Sequence, residues 1–167
     1  EDRSVYLKLA EMLIDAKRYD DALGILESVP GGDKDKKQLA LLGCCEEGLG
    51  HTDKAQAYAA RALAIDPSMA LALNIAGVLA YKKGEKEAAE GLFKKAIDAD
   101  PGFGESYTNL GSLQWTAGEQ MEALNLFERA FILSPTVADV VTAYHSAIGV
   151  TGAFERAEPV FREAQAL

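Results

Sequence analysis

Positive charge is sparse in this 167-residue chain and never clustered. No run of Lys or Arg exceeds two residues, as in Lys36-Lys37 and Lys94-Lys95, and the net charge is −9 with a sequence pI near 4.7. A nucleic-acid binder presents a basic patch or stripe to phosphates, so no nucleic-acid partner is expected. Cysteine is nearly absent: there are two, Cys44 and Cys45, adjacent in sequence. Neighbours on a helix diverge, so this is no disulfide scaffold, and a reducing, cytoplasmic compartment is expected over a periplasmic or secreted one. Long hydrophobic runs are missing too. No stretch approaches the ~20 apolar residues of a membrane span, so no membrane insertion is expected. No signal peptide is visible, although the chain opens with Glu1 instead of Met.

The motifs of catalysis are also missing. No His-Glu-x-x-His, Cys-x-x-Cys, Gly-x-Ser-x-Gly or phosphate-loop pattern occurs. Glu46 and Glu47 are sequence neighbours that diverge around a helix axis and cannot face each other across a substrate. No catalytic residue, metal site or cofactor is therefore assigned. What remains is the balance of a soluble folded protein, 49% apolar and 26% charged.

What the chain does have is a period. Pro67, Pro101 and Pro135 are 34 residues apart, and Gly43, Gly77 and Gly111 keep the same step. So do Gly50, Gly84, Gly118 and Gly152, Ala55, Ala89, Ala123 and Ala157, and Ala62, Ala96, Ala130 and Ala164. Phe93, Phe127 and Phe161 complete the set. A fixed period over most of a chain marks a repeat architecture.

The physics of one unit accounts for the recurring types. Apolar residues from Leu71 to Tyr81 predict a first helix, which Lys83-Gly84-Glu85 breaks because glycine accepts the left-handed backbone. Ala89, Leu92, Phe93, Ala96 and Ile97 fall at i, i+3, i+4, i+7 and i+8, one stripe of a second helix that Pro101 ends. Two helices joined by a short turn lie antiparallel. Gly77 and Ala89 let the backbones approach, and Phe93 fills the space beside them. Between units, Pro135 stops one helix, and Thr136 with Asp139 forms a capping-box-like start for the next.

This pattern resembles the tetratricopeptide repeat family, whose spacing runs aromatic or Leu, Leu-Gly, Ala, Phe, Ala, Pro. Tyr107, Leu110, Gly111, Ala123, Phe127, Ala130 and Pro135 carry it most fully. The second unit has Ala59 at the Phe position, the fifth has His145 at the Gly position, and the first is the most drifted, losing one residue before the second. The resemblance implies an all-α fold: a right-handed superhelix of five helix-turn-helix units, about 3–35, 36–69, 70–103, 104–137 and 138–167, in a single array. It also implies a protein or peptide partner held on a concave face lined by the first helices.

Carried over by position, the centre of that face comprises Asn74, Val78, Tyr81 and Lys82 from the third unit, and Thr108, Asn109, Ser112 and Trp115 from the fourth. Glu11, Lys37 and Glu47 flank them. Amides and hydroxyls suit a peptide backbone, and Tyr81 and Trp115, one period apart, suit an aromatic shelf. Members that clamp the carboxylate of chaperone tails use Lys and Asn where this chain has Leu7, Glu11, Leu41, Leu71 and Ile75, so that role is not implied. An alternative is a structural scaffold that stacks end to end or tethers a catalytic domain. Phe161 and Ala164, with no polar helix following them, are expected to lie bare and open to self-association.

Overall fold

A computed structural model describes residues 3–30 and 34–166. Glu1, Asp2, Gly31, Gly32, Asp33 and Leu167, which fall inside the first and last expected units, lie outside the described residues. The described residues form ten helices: α1 (Arg3–Asp15), α2 (Tyr19–Ser28), α3 (Lys36–Gly48), α4 (Thr52–Ile65), α5 (Ala70–Lys82), α6 (Lys86–Ala99), α7 (Gly104–Ala117), α8 (Gln120–Leu133), α9 (Ala138–Thr151) and α10 (Phe154–Ala166). Odd-numbered helices are the expected first helices and even-numbered ones the second. By packing, the chain divides into two compact units, Glu1–Glu85 and Lys86–Leu167, with the boundary between α5 and α6.

The turn glycines act as their spacing predicts. Gly50, Gly84, Gly118 and Gly152 all have positive φ, between +69° and +90°. Here the left-handed backbone is required, and a Cβ would strain it. The first unit departs from this rule: Lys17 holds the equivalent turn at φ +57°. A left-handed residue other than glycine costs roughly 1–2 kcal/mol, a physical component of that unit's drift.

In the first compact unit, Leu7, Ala10, Ala22 and Leu26 pack with Leu41, Leu42 and Cys45. Ala55 and Ala59 pack with Ile75 and Leu79. In the second, Phe127, Phe131 and Tyr144 form an aromatic-rich core. The Phe131 ring lies 5.1 Å from Tyr144 and 4.9 Å from Phe161, within the range of favourable ring pairs.

Two expectations need correction. Helix α9 does not start on a capping box at Thr136: its N-cap is Val137, extended and without a side-chain cap bond. Val137 is the residue whose extended backbone turns the chain into the helix, so the Thr136 hydroxyl falls one position too early. Nor do Phe161 and Ala164 lie bare. Ala164 is buried, and Phe161 turns inward onto Phe131 and Tyr144. The solvent side of α10 carries Glu158, Arg162 and Gln165 instead.

The glycines at the helix contacts are not equivalent. A Cβ on Gly111 would meet the Phe127 ring at 2.7 Å, whereas a Cβ on Gly43 would come no nearer than 3.4 Å to Tyr58. The reason is legible in the chain, because Ala59 stands where Phe127 stands two units later. Gly111→Ala is therefore expected to destabilise by about 1–3 kcal/mol through overpacking. Gly43→Ala should be neutral, or stabilising by up to about 1 kcal/mol through helix propensity. Urea denaturation of the two variants checks the contrast, and equal effects would contradict it.

Candidate functional site

The predicted face falls on first helices of both compact units. On α5, Asn74, Val78, Tyr81 and Lys82 recur at i, i+4, i+7 and i+8 and so share one side. They differ in what they offer. Tyr81 is 41% exposed, Val78 is half-buried, and Asn74 is only 4% exposed. Lys82 reaches across to α3, where its Nζ lies 2.6 Å from Oε1 of Glu47. On α7, Ser112 is exposed, Thr108 and Asn109 are half-buried, and Trp115 is half-buried against the core, its ring 6.4 Å from Phe127. Thr108 Oγ1 donates to the Gly104 carbonyl at 3.3 Å, and Ser112 Oγ donates to that of Thr108 at 2.9 Å. With their protons used this way, both hydroxyls retain only acceptor lone pairs. The shelf position does not continue past Trp115, since Gly149 occupies it on α9.

Charges on the first helices of the first compact unit bridge one helix to the next. Glu11 on α1 meets Lys37 on α3 at 2.7 Å and Lys8 at 3.4 Å. Burial works to raise the Glu11 pKa, but the hydrogen bond and charge of Lys37, together with Lys8, outweigh it and leave the carboxyl below its ordinary value. The Glu11–Lys37 and Glu47–Lys82 pairs thus tie α1 to α3 and α3 to α5. Sequence reading placed these residues on the face without seeing that they pair.

The neighbours Glu46 and Glu47 diverge as expected. Glu46 turns inward and is held by His51 Nδ1 at 2.6 Å and Lys54 Nζ at 3.3 Å. Beside it, burial first and the Glu46 charge second push the Cys45 thiol up to about 12, which leaves it unreactive. His145 is exposed, with its Nδ1 2.7 Å from the Val141 carbonyl oxygen. Among the described residues, no group of three or more His, Cys, Asp or Glu side chains is placed to hold a metal ion. No helix there is long and apolar enough to cross a membrane.

Paired helices on a 34-residue period are also what comparison with known proteins returns. The tetratricopeptide repeat family model matches residues 42–102. Residues 42–102 thus match the tetratricopeptide repeat family, and the chain as a whole has the fold of a tetratricopeptide repeat protein. Among solved structures, a crystal structure of MamA protein matches 97% of this chain and 89% of its own at 21% identity, with a TM-score of 0.58. MamA AMB-1 matches at 25% identity over 99% and 98% of the two chains, with a TM-score of 0.55. A thermophilic TPR protein of Thermus thermophilus matches at 21% identity over 89% and 82%, with a TM-score of 0.68. The likenesses at 21% identity, to that MamA structure and to the thermophilic protein, are of fold alone. In all, 241 solved chains match, so a match identifies an architecture and not a partner. No curated protein sequence matches.

Within the second repeat, a charged link ties the residue that follows α4 back to the start of α3. Asp66 follows α4, and its Oδ2 lies 2.6 Å from Lys36 Nζ at the start of α3. Its Oδ1 accepts from the Ser68 amide at 3.0 Å and the Ser68 hydroxyl at 2.8 Å. The Lys36 hydrogen bond, followed by those of Ser68, lowers the Asp66 carboxyl to about 2. A carboxylate depressed on folding contributes stability above its ordinary pKa, and that contribution fades as pH falls through the folded value. The contribution should be whole at neutral pH and vanish between about pH 4 and pH 2. Carboxyl carbon NMR should place Asp66 near the bottom of that window and, in Lys36→Ala, move it up toward ordinary aspartates. An unmoved value would contradict the link.

Proposed function

We propose that this chain is a protein-interaction module that receives a segment of a partner protein on the outward side of its first helices. Tetratricopeptide repeat folds serve in general as interaction or scaffold modules, which sets the class. The observation that carries the finer reading is Tyr81. It is a large aromatic left 41% exposed beside half-buried Val78 and the Glu47–Lys82 bridge. An exposed aromatic next to polar groups is the composition of a binding hot spot. In the first compact unit Asn74 is buried beneath that aromatic's helix face; in the second, taken by itself, Trp115 packs on Phe127. Ser112 adds an exposed acceptor on α7. The acidic surface favours a protein ligand with neutral or basic side chains over a nucleic acid.

The scaffold alternative by end-to-end stacking draws less support. The last helix turns Phe161 inward and offers Glu158 and Arg162, paired with each other, to solvent.

Affinity capture with the intact chain tests the reading, provided the variants spare the packing. Tyr81→Ala and Ser112→Ala alter exposed side chains and should leave the melting temperature within a few degrees. Tyr81→Ala is expected to weaken a captured partner by at least about tenfold, the effect of losing a moderate hot spot. A partner held equally well by both variants would remove the face from consideration.

A further inference from the structure

The second compact unit repeats a polar pattern that the first does not have. On α7, Glu105, Thr108 and Ser112 stand at i, i+3 and i+7 and so share one side of the helix. One period on, Asp139, Thr142 and Ser146 repeat the order carboxylate, Thr, Ser on α9. Five of these six residues are exposed, and Thr108 is half-buried. The corresponding residues in the first unit are Lys37, Ala40 and Cys44 on α3, and Leu71, Asn74 and Val78 on α5.

The pattern has a definite hydrogen-bonding sense. Thr142 Oγ1 donates to the Ala138 carbonyl at 2.8 Å, as Thr108 and Ser112 donate to the carbonyls of Gly104 and Thr108. Three hydroxyls thus use their protons on their own helices and keep only lone pairs for a ligand, and an ionised carboxylate likewise only accepts. Neither α7 nor α9 contains a Lys or Arg. Residues 86–167 hold six Lys and Arg against twelve Asp and Glu, so the rest of the unit does not reverse the sign. The first unit is arranged differently, since its first helices answer Glu11 and Glu47 with Lys37 and Lys82.

A side made of acceptors and negative charge is complementary to donors and positive charge. We propose that the α7–α9 side takes a basic, extended segment of a partner protein, with Lys or Arg at i and i+3. The spacing follows from the repeat. Helices α7 and α9 pack on each other, and packed helices lie about 8–10 Å apart. Three residues of extended chain span about 10 Å. One basic side chain therefore reaches the row from Glu105 to Ser112 while the next reaches the row from Asp139 to Ser146. A second copy of this chain is a poor occupant by charge. It is itself −9, and its Lys36, Lys37, Lys82 and Lys94 already meet Asp66, Glu11, Glu47 and Glu90. The inference rests on the reading that first helices receive a partner segment, and it names the unit and the chemistry.

The probe is the end-blocked peptide Gly-Ser-Arg-Gly-Ser-Arg-Gly-Ser, titrated into the intact, isotope-labelled chain at low ionic strength, where screening is weak. Amide NMR shifts should cluster on α7 and α9. The same peptide with Gln for both Arg should give none, and one with the two Arg adjacent should bind more weakly, because neighbours on an extended chain point to opposite sides. Ser112→Ala combined with Thr142→Val should weaken binding at least about fivefold, the loss of charge-assisted hydrogen bonds. The melting temperature should hold, because both residues are exposed. Four results would each overturn the proposal: no shifts, shifts spread over acidic residues of both units, equal binding by the Gln peptide, or full binding by the double variant. A wild-type dimer in ultracentrifugation that the double variant dissolves would make the occupant a second copy and overturn it too. Absence of shifts would leave the Tyr81 reading to its own test. A partner insensitive to Tyr81→Ala would fail that reading without moving these peptide shifts.

Discussion

Everything in this structure depends on two helices approaching so closely that nothing larger than a methyl group fits between them. Ala22, Ala55 and Ala123 are fully buried at one contact, and Ala62, Ala96 and Ala130 at the next. Alanine is also the strongest helix former, so the residue that permits the approach favours the element that makes it. Where one partner of the contact is glycine, its counterpart can grow, as Phe127 does over Gly111. Where the counterpart has shrunk to Ala59, the glycine at 43 is no longer forced. The contact behaves as a fixed volume shared between two positions, which is how close-packed interiors respond to substitution.

Charge plays a smaller and different part. The Glu11–Lys37, Glu47–Lys82 and Lys36–Asp66 pairs span neighbouring helices or the links between them, but their lysines are about half-exposed. Exposed pairs contribute about 0–1 kcal/mol each, so they do not hold the array together. They occupy a polar face with internal partners, and an incoming ligand must compete with them. Glu46 belongs to another category. Its side chain is almost wholly buried, so His51 and Lys54 are what make its burial tolerable, and removing a partner would cost far more than a surface pair.

How much of this was legible in the sequence depends on whether a residue acts through its own backbone or through its neighbours. The turn glycines, the helix-ending prolines and the small residues at the contacts were readable, because each meets a local demand that few residue types satisfy. The start of α9 at Val137 was not, since several residues near Thr136 can begin a helix and packing selects among them. Depth on the candidate face was hidden as well. Periodicity put Asn74, Tyr81 and Trp115 on first helices, but how far each sinks depends on the side chains around it. Lys17 shows the same limit, since nothing local announces a lysine in a left-handed turn.

A stripe on helix α1 carries that argument to its end. Val5, Leu9 and Met12 are ordinary core residues by type and by position in the unit, and in four later units their counterparts are core or partly so. Only the absence of a covering helix among the described residues makes them surface. In a repeat fold, each unit buries its neighbour's apolar face instead of its own, so core and interface are one surface at different places along the chain. An apolar stripe of this kind needs no motif of its own, which is why motif reading passes over it and comparison among the chain's own repeats reveals it.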